Sequence, residues 1–227
     1  METAVAWLNL SETDSLLIEI FEDFDVESDS GGIEQTQVKH SASDRTLTLA
    51  SKDSRDALES FWATSREGEV ADVSLVVHTN MKIGTESAAN LPGGVTGIAY
   101  WHAVNAGADA APLKDLLLTT QQSGKLRSWL ESNPDEDALR SRLIARVRWR
   151  TSQPSGAAQN ALLAELITGR LTALELPVGL ASRVSAQIIE RVFAVASETD
   201  PALRRLRGGW PDAEDQRGRG ENHQGSV

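Results

Sequence analysis

The sequence predicts an α/β protein in which a mixed sheet flanked by helices is followed by an all-α helical region. Before residue 110, short apolar or alternating segments of strand length surround one amphipathic helical segment. A helix that leads from one strand to the next is the connection that parallel strands need, so the sheet should be mixed. Beyond Pro112, apolar residues recur at helical spacing. We therefore expect an α/β domain over residues 1–110, a helical region over 111–206 and a disordered tail over 207–227.

The first elements of the α/β part should form a hairpin. Residues 3–10 are enough for a short helix or the end of one. The apolar run from Ser15 to Phe21 has strand length, and residues 23–28 continue extended up to a turn at Asp29–Gly32. The alternating run from Ile33 to His40 supplies the second strand of the hairpin.

One helix and one strand follow the hairpin. Residues 54–66 carry apolar side chains at helical spacing and predict an amphipathic helix, and Asp72–Asn80 predicts another strand. The order is thus short helix, three strands, helix and strand. The stretch from Asn90 to Gly107 is rich in glycine, and its segment Ile98–His102 is compatible with a short strand.

The second half should be built from helices. Four segments have the apolar spacing of helices, and they are Leu113–Leu130, Pro134–Arg150, Ala157–Leu174 and Ala181–Ser197. Residues 133–136 offer an N-cap, a proline in the first turn and acidic side chains near the positive helix end. From Arg207 onward the chain has almost nothing to bury, which predicts disorder.

The composition limits the classes of function. The chain has 227 residues, a formal net charge of −11, no cysteine and four histidines. A cysteine nucleophile is excluded, and a structural zinc site is not expected. The net charge works against non-specific binding to nucleic acid, which depends on Lys and Arg. The charge is segregated, however, because acidic residues crowd the first 38 positions and five arginines crowd residues 140–150.

The sequence also bears on location. It contains no apolar run of the length that spans a bilayer, and its first ten residues lack the basic start and apolar core of a signal peptide. Together with the lack of cysteine, these features favour a cytoplasmic protein without a membrane partner.

The candidate site is centred on Lys39, the first basic residue of the chain, which follows ten acidic residues. Gln37 and Lys39 share one face of their strand because side chains alternate, and Asp23 and Asp25 share a face in the same way. The turn can bring Asp25, Gln37 and Lys39 to one end of the sheet. Carboxylate and amide oxygens suit a divalent cation, and a neighbouring lysine can orient a water and stabilise negative charge. The pattern favours phosphodiester hydrolysis.

The aspartate, the QxK segment and the strands around them resemble the PD-(D/E)xK nuclease superfamily, in the variant with glutamine replacing the middle acid. "IEIFEDFDV", "GGIEQTQVKHS", the amphipathic helix and "SLVVHTN" are similar to the double-stranded DNA endonuclease domain of CD-NTase-associated effector proteins of bacterial anti-phage defence. The resemblance covers roughly residues 5–80. It implies a restriction-endonuclease-like fold and a DNA endonuclease dependent on Mg²⁺ or Mn²⁺. It also implies catalytic roles for Asp25, Gln37 and Lys39 and metal ligation by Asp25, Gln37 and Asp23.

The chain departs from this family in two respects. The helix before the first strand is short, which leaves Glu2 or Glu12 as poor substitutes for an acidic residue often found there. Larger relatives join the nuclease to a sensor or an ATPase, whereas this sequence has no G-x-x-x-x-G-K-[ST] loop. The resemblance therefore leaves room for a homo-oligomer or for a separate sensor or ATPase partner.

Other interpretations of the same residues stay open. Acids near a strand lysine are often an ion-paired surface, and Glu19 and Glu22 are expected on the opposite face or at the edge. His40 and His78 are expected at the surface, and the arginines of residues 140–150 fit either phosphate contacts or ion pairs. The alternative function is a non-catalytic interaction or regulatory protein with a degenerate nuclease fold.

Overall fold

The computed structural model describes residues 1–19, 23–42, 44–67, 72–86 and 91–208. Within these residues the chain forms a six-stranded mixed sheet, a two-stranded ribbon and eight α-helices, which confirms the mixed α/β class. The strands are β1 (Ser15–Ile18), β2 (Phe24–Glu27), β3 (Ile33–Lys39), β4 (Thr46–Leu47), β5 (Val73–Thr79), β6 (Lys82–Ile83), β7 (Val147–Arg150) and β8 (Arg205–Arg207). The helices are α1 (Glu2–Leu8), α2 (Lys52–Glu67), α3 (Gly97–Asn105), α4 (Ala111–Thr120), α5 (Lys125–Glu131), α6 (Glu136–Arg142), α7 (Ala157–Ala173) and α8 (Ala181–Ala196).

The large sheet has the strand order β7-β5-β3-β2-β1-β8. Strands β1, β2 and β3 are antiparallel neighbours, and β8 pairs with β1 in the antiparallel sense. Strands β3, β5 and β7 are parallel, as the crossover through α2 requires between β3 and β5. The ribbon of β4 and β6 is also parallel. None of the helices in the described residues is long and apolar enough to cross a membrane.

The predicted hairpin, helix α2 and strand β5 are present. The hairpin of β2 and β3 is closed by a hydrogen bond from Ser28 N to Gly32 O at 2.9 Å. Gly31 has a φ of 85°, a conformation that glycine adopts at little cost. Helix α2 buries the apolar stripe that predicted it, including Phe61 and Trp62. The residues between β1 and β2, which the sequence placed partly in the first strand, lie outside the described residues at 20–22.

The second half is not all-α, because β7 and β8 belong to the sheet. The predicted helix over Pro134–Arg150 ends at Arg142, and its last four residues form β7. Val147 and Trp149 are buried while Arg148 and Arg150 are exposed, an alternation with the period of a strand. In β8, Leu206 alone is buried among three residues. Such short strands become stable only through pairing with distant residues, so local spacing could not reveal them.

The segment predicted as a strand at Ile98–His102 is part of helix α3. The Thr96 side chain accepts a hydrogen bond from Ala99 N at 3.2 Å, which is an N-cap. Ile98, Trp101 and Val104 are all buried, and their spacing is that of one helix face. The predicted helix over Leu113–Leu130 is likewise divided into α4 and α5.

Two hydrophobic cores lie on opposite faces of the sheet. The first core contains residues of β5 and β7 and of α2 through α6. The second contains residues of α1, α7, α8 and of strands β1, β2, β3 and β8. Each face of the sheet is therefore covered by helices, and the C-terminal helices complete the second core. The domain boundary near residue 110 stays a prediction, and the tail from residue 209 lies outside the described residues.

Candidate functional site

The hairpin register determines which acid stands beside Gln37. Strands β2 and β3 pair Phe24 with Thr36 and Asp25 with Gln35. One step beyond this paired stretch, the same register places Asp23 level with Gln37. The contact is supported by a hydrogen bond from Val38 N to Asp23 Oδ1 at 2.9 Å. Asp25 is therefore the diagonal neighbour of Gln37, at a general spacing of roughly 7–8 Å.

The predicted site residues share one face of the sheet. Gln37 pairs with Val77 and Lys39 with Thr79 in the parallel register of β3 and β5. Val77 is fully buried in the first core, on the face covered by α2. Because side chains alternate, Asp23 and Asp25 point to this same face at the end of the sheet where β3 terminates.

The amide of Gln37 has an unsatisfied acceptor. Its Oε1 atom is buried and has no hydrogen-bond partner in the described part of the chain. A buried carbonyl oxygen normally accepts a hydrogen bond or contacts a cation, so an orphaned one needs an explanation. The Gln37 side chain lies on the same face of the sheet as Asp23, Asp25 and Lys39.

Asp25 is a half-buried carboxyl in an acidic neighbourhood. The pKa of Asp25 is raised from 3.8 to about 6, first by burial and then by the negative charge of Glu19, with a smaller contribution from Asp23. A side-chain hydrogen bond with Gln35 acts in the opposite direction on this pKa. None of the groups that shift the pKa of Asp25 is a cation. A bound metal ion would reduce the repulsion between these carboxylates.

Glu19 belongs to this cluster, contrary to the sequence prediction that placed it on the opposite face or at the edge. Its backbone N donates to Asp23 O at 3.0 Å, so Glu19 stands opposite Asp23. Leu17 pairs with Asp25 in β1 and β2, which places Leu17 and Glu19 on the face of the two aspartates. The sequence missed this because β1 ends at Ile18 and pairs antiparallel with β2, which brings Glu19 level with Asp23. Glu22 lies outside the described residues.

Lys39 is anchored by its backbone and not by its charge. Its carbonyl O accepts a hydrogen bond from Thr79 Oγ1 at 2.5 Å. Among the described residues, its side-chain ammonium forms neither an ion pair nor a hydrogen bond. Lys39 therefore has no ion-pair partner among the described residues, and the ion-pair interpretation of this lysine finds no support there.

The acid of the first helix lies elsewhere. Glu2 is buried, and its Oε1 is 3.0 Å from His78 Nε2, without hydrogen-bond geometry, and 4.0 Å from His40 Nε2. Gln159 of α7 donates a hydrogen bond to the same oxygen. The strand alternation places His40 and His78 on the face opposite Gln37 and Lys39. Glu2 thus joins α1 to the sheet and to α7 and is not part of the acidic cluster.

The arginines of residues 140–150 have different roles. Arg140 bonds to the carbonyl oxygens of Val104 and Ala108 and pairs with Glu136, while Arg148 pairs with Glu34. Arg150, at the end of β7, makes no side-chain hydrogen bond or ion pair within the described residues. Within the described residues, Arg140 and Arg148 thus form ion pairs, whereas Arg142 and Arg150 do not.

A metal site is not preformed by acids and histidines alone. Within the described residues, no group of three or more His, Cys, Asp or Glu side chains is arranged to hold a metal ion. The predicted set differs in kind, since it combines two carboxylates with the amide oxygen of Gln37. Mg²⁺ commonly keeps several waters and takes only one or two protein carboxylates.

Comparisons with known proteins give a similarity in fold. No protein-family model and no curated protein matches the sequence. A solved structure described as the Moraxella osloensis Cap4 SAVED/CARF-domain containing receptor is 13% identical, with a TM-score of 0.50. That match covers 86% of this chain and 42% of the receptor.

A second match is the Acinetobacter baumannii Cap4 SAVED/CARF-domain containing receptor with the cyclic trinucleotide 3'3'3'-cAAA. It is 14% identical with a TM-score of 0.49 and covers 86% of this chain and 40% of that receptor. This chain therefore spans less than half of either receptor. The likeness to the Moraxella osloensis receptor is one of fold.

Proposed function

We propose that this chain is a metal-dependent DNA endonuclease with a restriction-endonuclease-like fold, acting in bacterial anti-phage defence. The observation that carries the proposal is the juxtaposition of Asp23 with Gln37 across β2 and β3, with Lys39 next along the same face. Lys39 has no ion-pair partner in the described residues, so its charge is available to a substrate. A phosphodiester is the substrate whose negative charge fits a metal ion and an ammonium together.

The side chains fit a divalent cation with oxygen ligands. Asp23, Gln37 and Asp25 would hold Mg²⁺ or Mn²⁺, with waters as the remaining ligands. The buried, unpartnered Oε1 of Gln37 and the mutual repulsion within the acidic cluster both support this assignment. When bound, the ion would offset charge on the phosphate and lower the pKa of a water. Above about pH 6 the Asp25 carboxyl is mostly ionised and can serve as a ligand.

Lys39 has the role of holding the reacting groups. In the hydrolysis, a water oxygen forms a bond to phosphorus, the bond to one deoxyribose oxygen breaks, and a proton reaches that leaving oxygen. The Lys39 ammonium donates hydrogen bonds to the phosphate oxygens or orients the water, and it stabilises the additional negative charge of the transition state. Its flexible stem lets it do so from a fixed strand position.

The anti-phage context is proposed from two sources. The sequence resembles CD-NTase-associated effector nucleases, and the fold is similar to that of a protein described as a Cap4 receptor. Because this chain spans less than half of that receptor, a sensor function would come from a further domain or a partner. Double-stranded DNA is the proposed substrate of the chain itself.

A plasmid assay tests the nuclease. The 227-residue protein should nick or linearise supercoiled DNA with Mg²⁺ or Mn²⁺ but not with EDTA. Lys39→Ala and Asp23→Asn should each lose at least about a hundredfold in rate, as expected when a transition-state charge partner is removed. Lys52→Ala, which removes an exposed lysine paired with Asp56, serves as the matched control and should cleave normally.

Stability separates this proposal from the alternative. Lys39→Ala should keep the melting temperature of the wild type, since the ammonium has no partner among the described residues to lose. A wild type that cuts DNA with neither metal, together with a clearly less stable Lys39→Ala protein, would favour a non-catalytic interaction or regulatory protein.

A further inference from the structure

The carboxyl ends of three parallel strands meet at one edge of the sheet. Strands β3, β5 and β7 run in the same direction, with Lys39 paired to Thr79 and His78 paired to Arg150. The ribbon of β4 and β6 continues from this edge, where Thr46 pairs with Lys82. The chain segments that follow the three strands are therefore neighbours.

Hydrogen bonds hold these segments together. Ser41 N donates to Asn80 Oδ1 at 2.9 Å, and Asn80 Nδ2 donates back to Ser41 O at 2.8 Å. After β7, Ser152 N donates to Met81 O at 2.9 Å and Gln153 N donates to Thr79 O at 3.0 Å. The edge is thus a connected frame, and side chains mounted on it have defined positions.

This frame carries cations without partners. Lys39 is partly exposed, and Arg45, Lys82 and Arg150 are exposed. Within the described residues, none of these four cationic groups makes a hydrogen bond or an ion pair. Exposed cations elsewhere on the chain are often paired, as in Arg205 with Glu27. We refer to Lys39, Arg45, Lys82 and Arg150 as the basic edge.

The basic edge contrasts with the rest of the molecule. Segments 39–46, 79–83 and 150–153 contain four Lys or Arg residues and one acid, Asp44, in a chain with a net charge of −11. The acidic cluster of Glu19, Asp23 and Asp25 lies at the same end of the sheet but on β2 and next to β1. At this end of the sheet, the charge is therefore negative near β1 and β2 and positive near the ends of β3, β5 and β7.

We propose that the basic edge binds the backbone phosphates of duplex DNA, with the scissile phosphate at Lys39 and neighbouring phosphates at Arg45, Lys82 and Arg150. Because Arg150 pairs with His78, its side chain points to the sheet face opposite Lys39, and the duplex would reach it across the strand ends. The inference rests on the proposed nuclease function and adds the surface that positions its substrate. Backbone phosphates are bound mainly by Lys and Arg and fix the register of the duplex without reading its sequence. The overall negative charge makes a local basic surface the place where a polyanion can approach.

Binding without cleavage tests the surface. A fluorescently labelled duplex of about 20 base pairs is titrated with the protein in EDTA over about 50–200 mM NaCl. The triple variant Arg45→Gln, Lys82→Gln and Arg150→Gln should bind at least about tenfold more weakly. The slope of log K against log salt should fall by about 2 to 3, since each lost phosphate contact removes about 0.9.

The matched control removes the same charge elsewhere. Arg142, Arg183 and Arg207 are exposed and have no side-chain partner in the described residues. Arg207 lies on β8, the outermost strand on the side of the sheet away from β7. Changing these three arginines to Gln should leave the salt slope within about 0.5 of wild type. Melting temperatures of both triple variants should match the wild type because all six side chains are exposed.

The outcomes separate the two proposals. Equal loss of binding in the two triple variants, or wild-type binding in the basic-edge variant, overturns the basic edge. Tighter binding of an RNA duplex of the same sequence, or no duplex binding by the wild type, overturns it as well. Wild-type protein that binds DNA through the basic edge but cuts with neither Mg²⁺ nor Mn²⁺ overturns only the nuclease.

Discussion

At the scale of single residues, the Asp25 carboxyl links the acidic cluster to pH. Its pKa is raised from 3.8 to about 6, chiefly by burial and then by the charge of Glu19. Between these values the folded protein binds the Asp25 proton more tightly than the unfolded chain does. The contribution of Asp25 to the free energy of unfolding should therefore be fully present below about pH 4 and should be lost as pH rises through about 6.

Replacing Asp25 tests this linkage. In Asp25→Asn the contribution disappears, so the free energy of unfolding should fall less between about pH 4 and 7 than in the wild type. The expected difference is about 1 to 2 kcal/mol after discounting for partial solvent exposure. Urea unfolding at several pH values in EDTA measures it, with Asp115→Asn, an exposed aspartate of α4, as the control. Equal pH dependence in wild type and Asp25→Asn would contradict the assignment.

At the scale of elements, a buried carboxylate fixes the start of α3. Glu86 is 6% exposed, and it accepts hydrogen bonds from Leu49 N at 2.8 Å and from Gly97 N at 2.5 Å. A Cβ at Gly97 would lie 2.5 Å from Glu86 Oε1, so glycine permits this close approach. The negative charge also interacts favourably with the N-terminus of the helix.

Removing this carboxylate should destabilise the protein. Glu86→Ala leaves two buried backbone N–H groups without acceptors, at a cost of about 2 to 4 kcal/mol in the free energy of unfolding. Glu131→Ala, which removes an exposed partner of Arg127, should cost less than about 0.5 kcal/mol. Chemical denaturation of both variants measures the difference. Similar losses in the two would show that Glu86 is not a structural cap.

The same element shows what local sequence could and could not reveal. Helix α2 and strand β5 were predictable because their apolar spacing alone determines which face is buried. The N-cap of α3 is Thr96, which is local in sequence. The buried carboxylate that accepts hydrogen bonds at the start of this helix belongs to Glu86, and it also accepts one from Leu49 N, 37 residues earlier. Gly-rich sequence around α3 therefore obscured a helix whose support is tertiary.

In the candidate site as well, some features were predictable from local sequence and others depended on tertiary structure. Alternation along β3 was sufficient to place Gln37 and Lys39 on one face, and the structure agrees. The acid level with Gln37 depends on the length of the hairpin turn, which pairs Asp25 with Gln35 and moves Asp23 into that position. Glu19 belongs to the cluster only because β1 pairs antiparallel with β2, and Arg150 belongs to the basic edge only because β7 joins the sheet.

At the scale of the whole molecule, the two ends of the described chain meet where β8 pairs with β1. Trp7 Nε1 of α1 donates to Arg207 O of β8 at 2.7 Å, and Ile18 N donates to Arg204 O at 2.8 Å. Leu206 is 2% exposed in the second core, whereas Leu203 is 59% exposed. No local pattern in a three-residue strand could predict this closure, because its partner β1 lies about 190 residues away.

This closure gives the last prediction. Leu206→Ala should lower the free energy of unfolding by about 2 to 4 kcal/mol, because it opens a cavity in the second core. Leu203→Ala should change it by less than about 0.5 kcal/mol. Hydrogen exchange should show the loss of stability in β5 as well as in β1, since both cores pack on one sheet and the sheet should unfold as a unit. A loss confined to β1 and β8 would instead mean that the C-terminal strand opens separately and that the first core is stable without it.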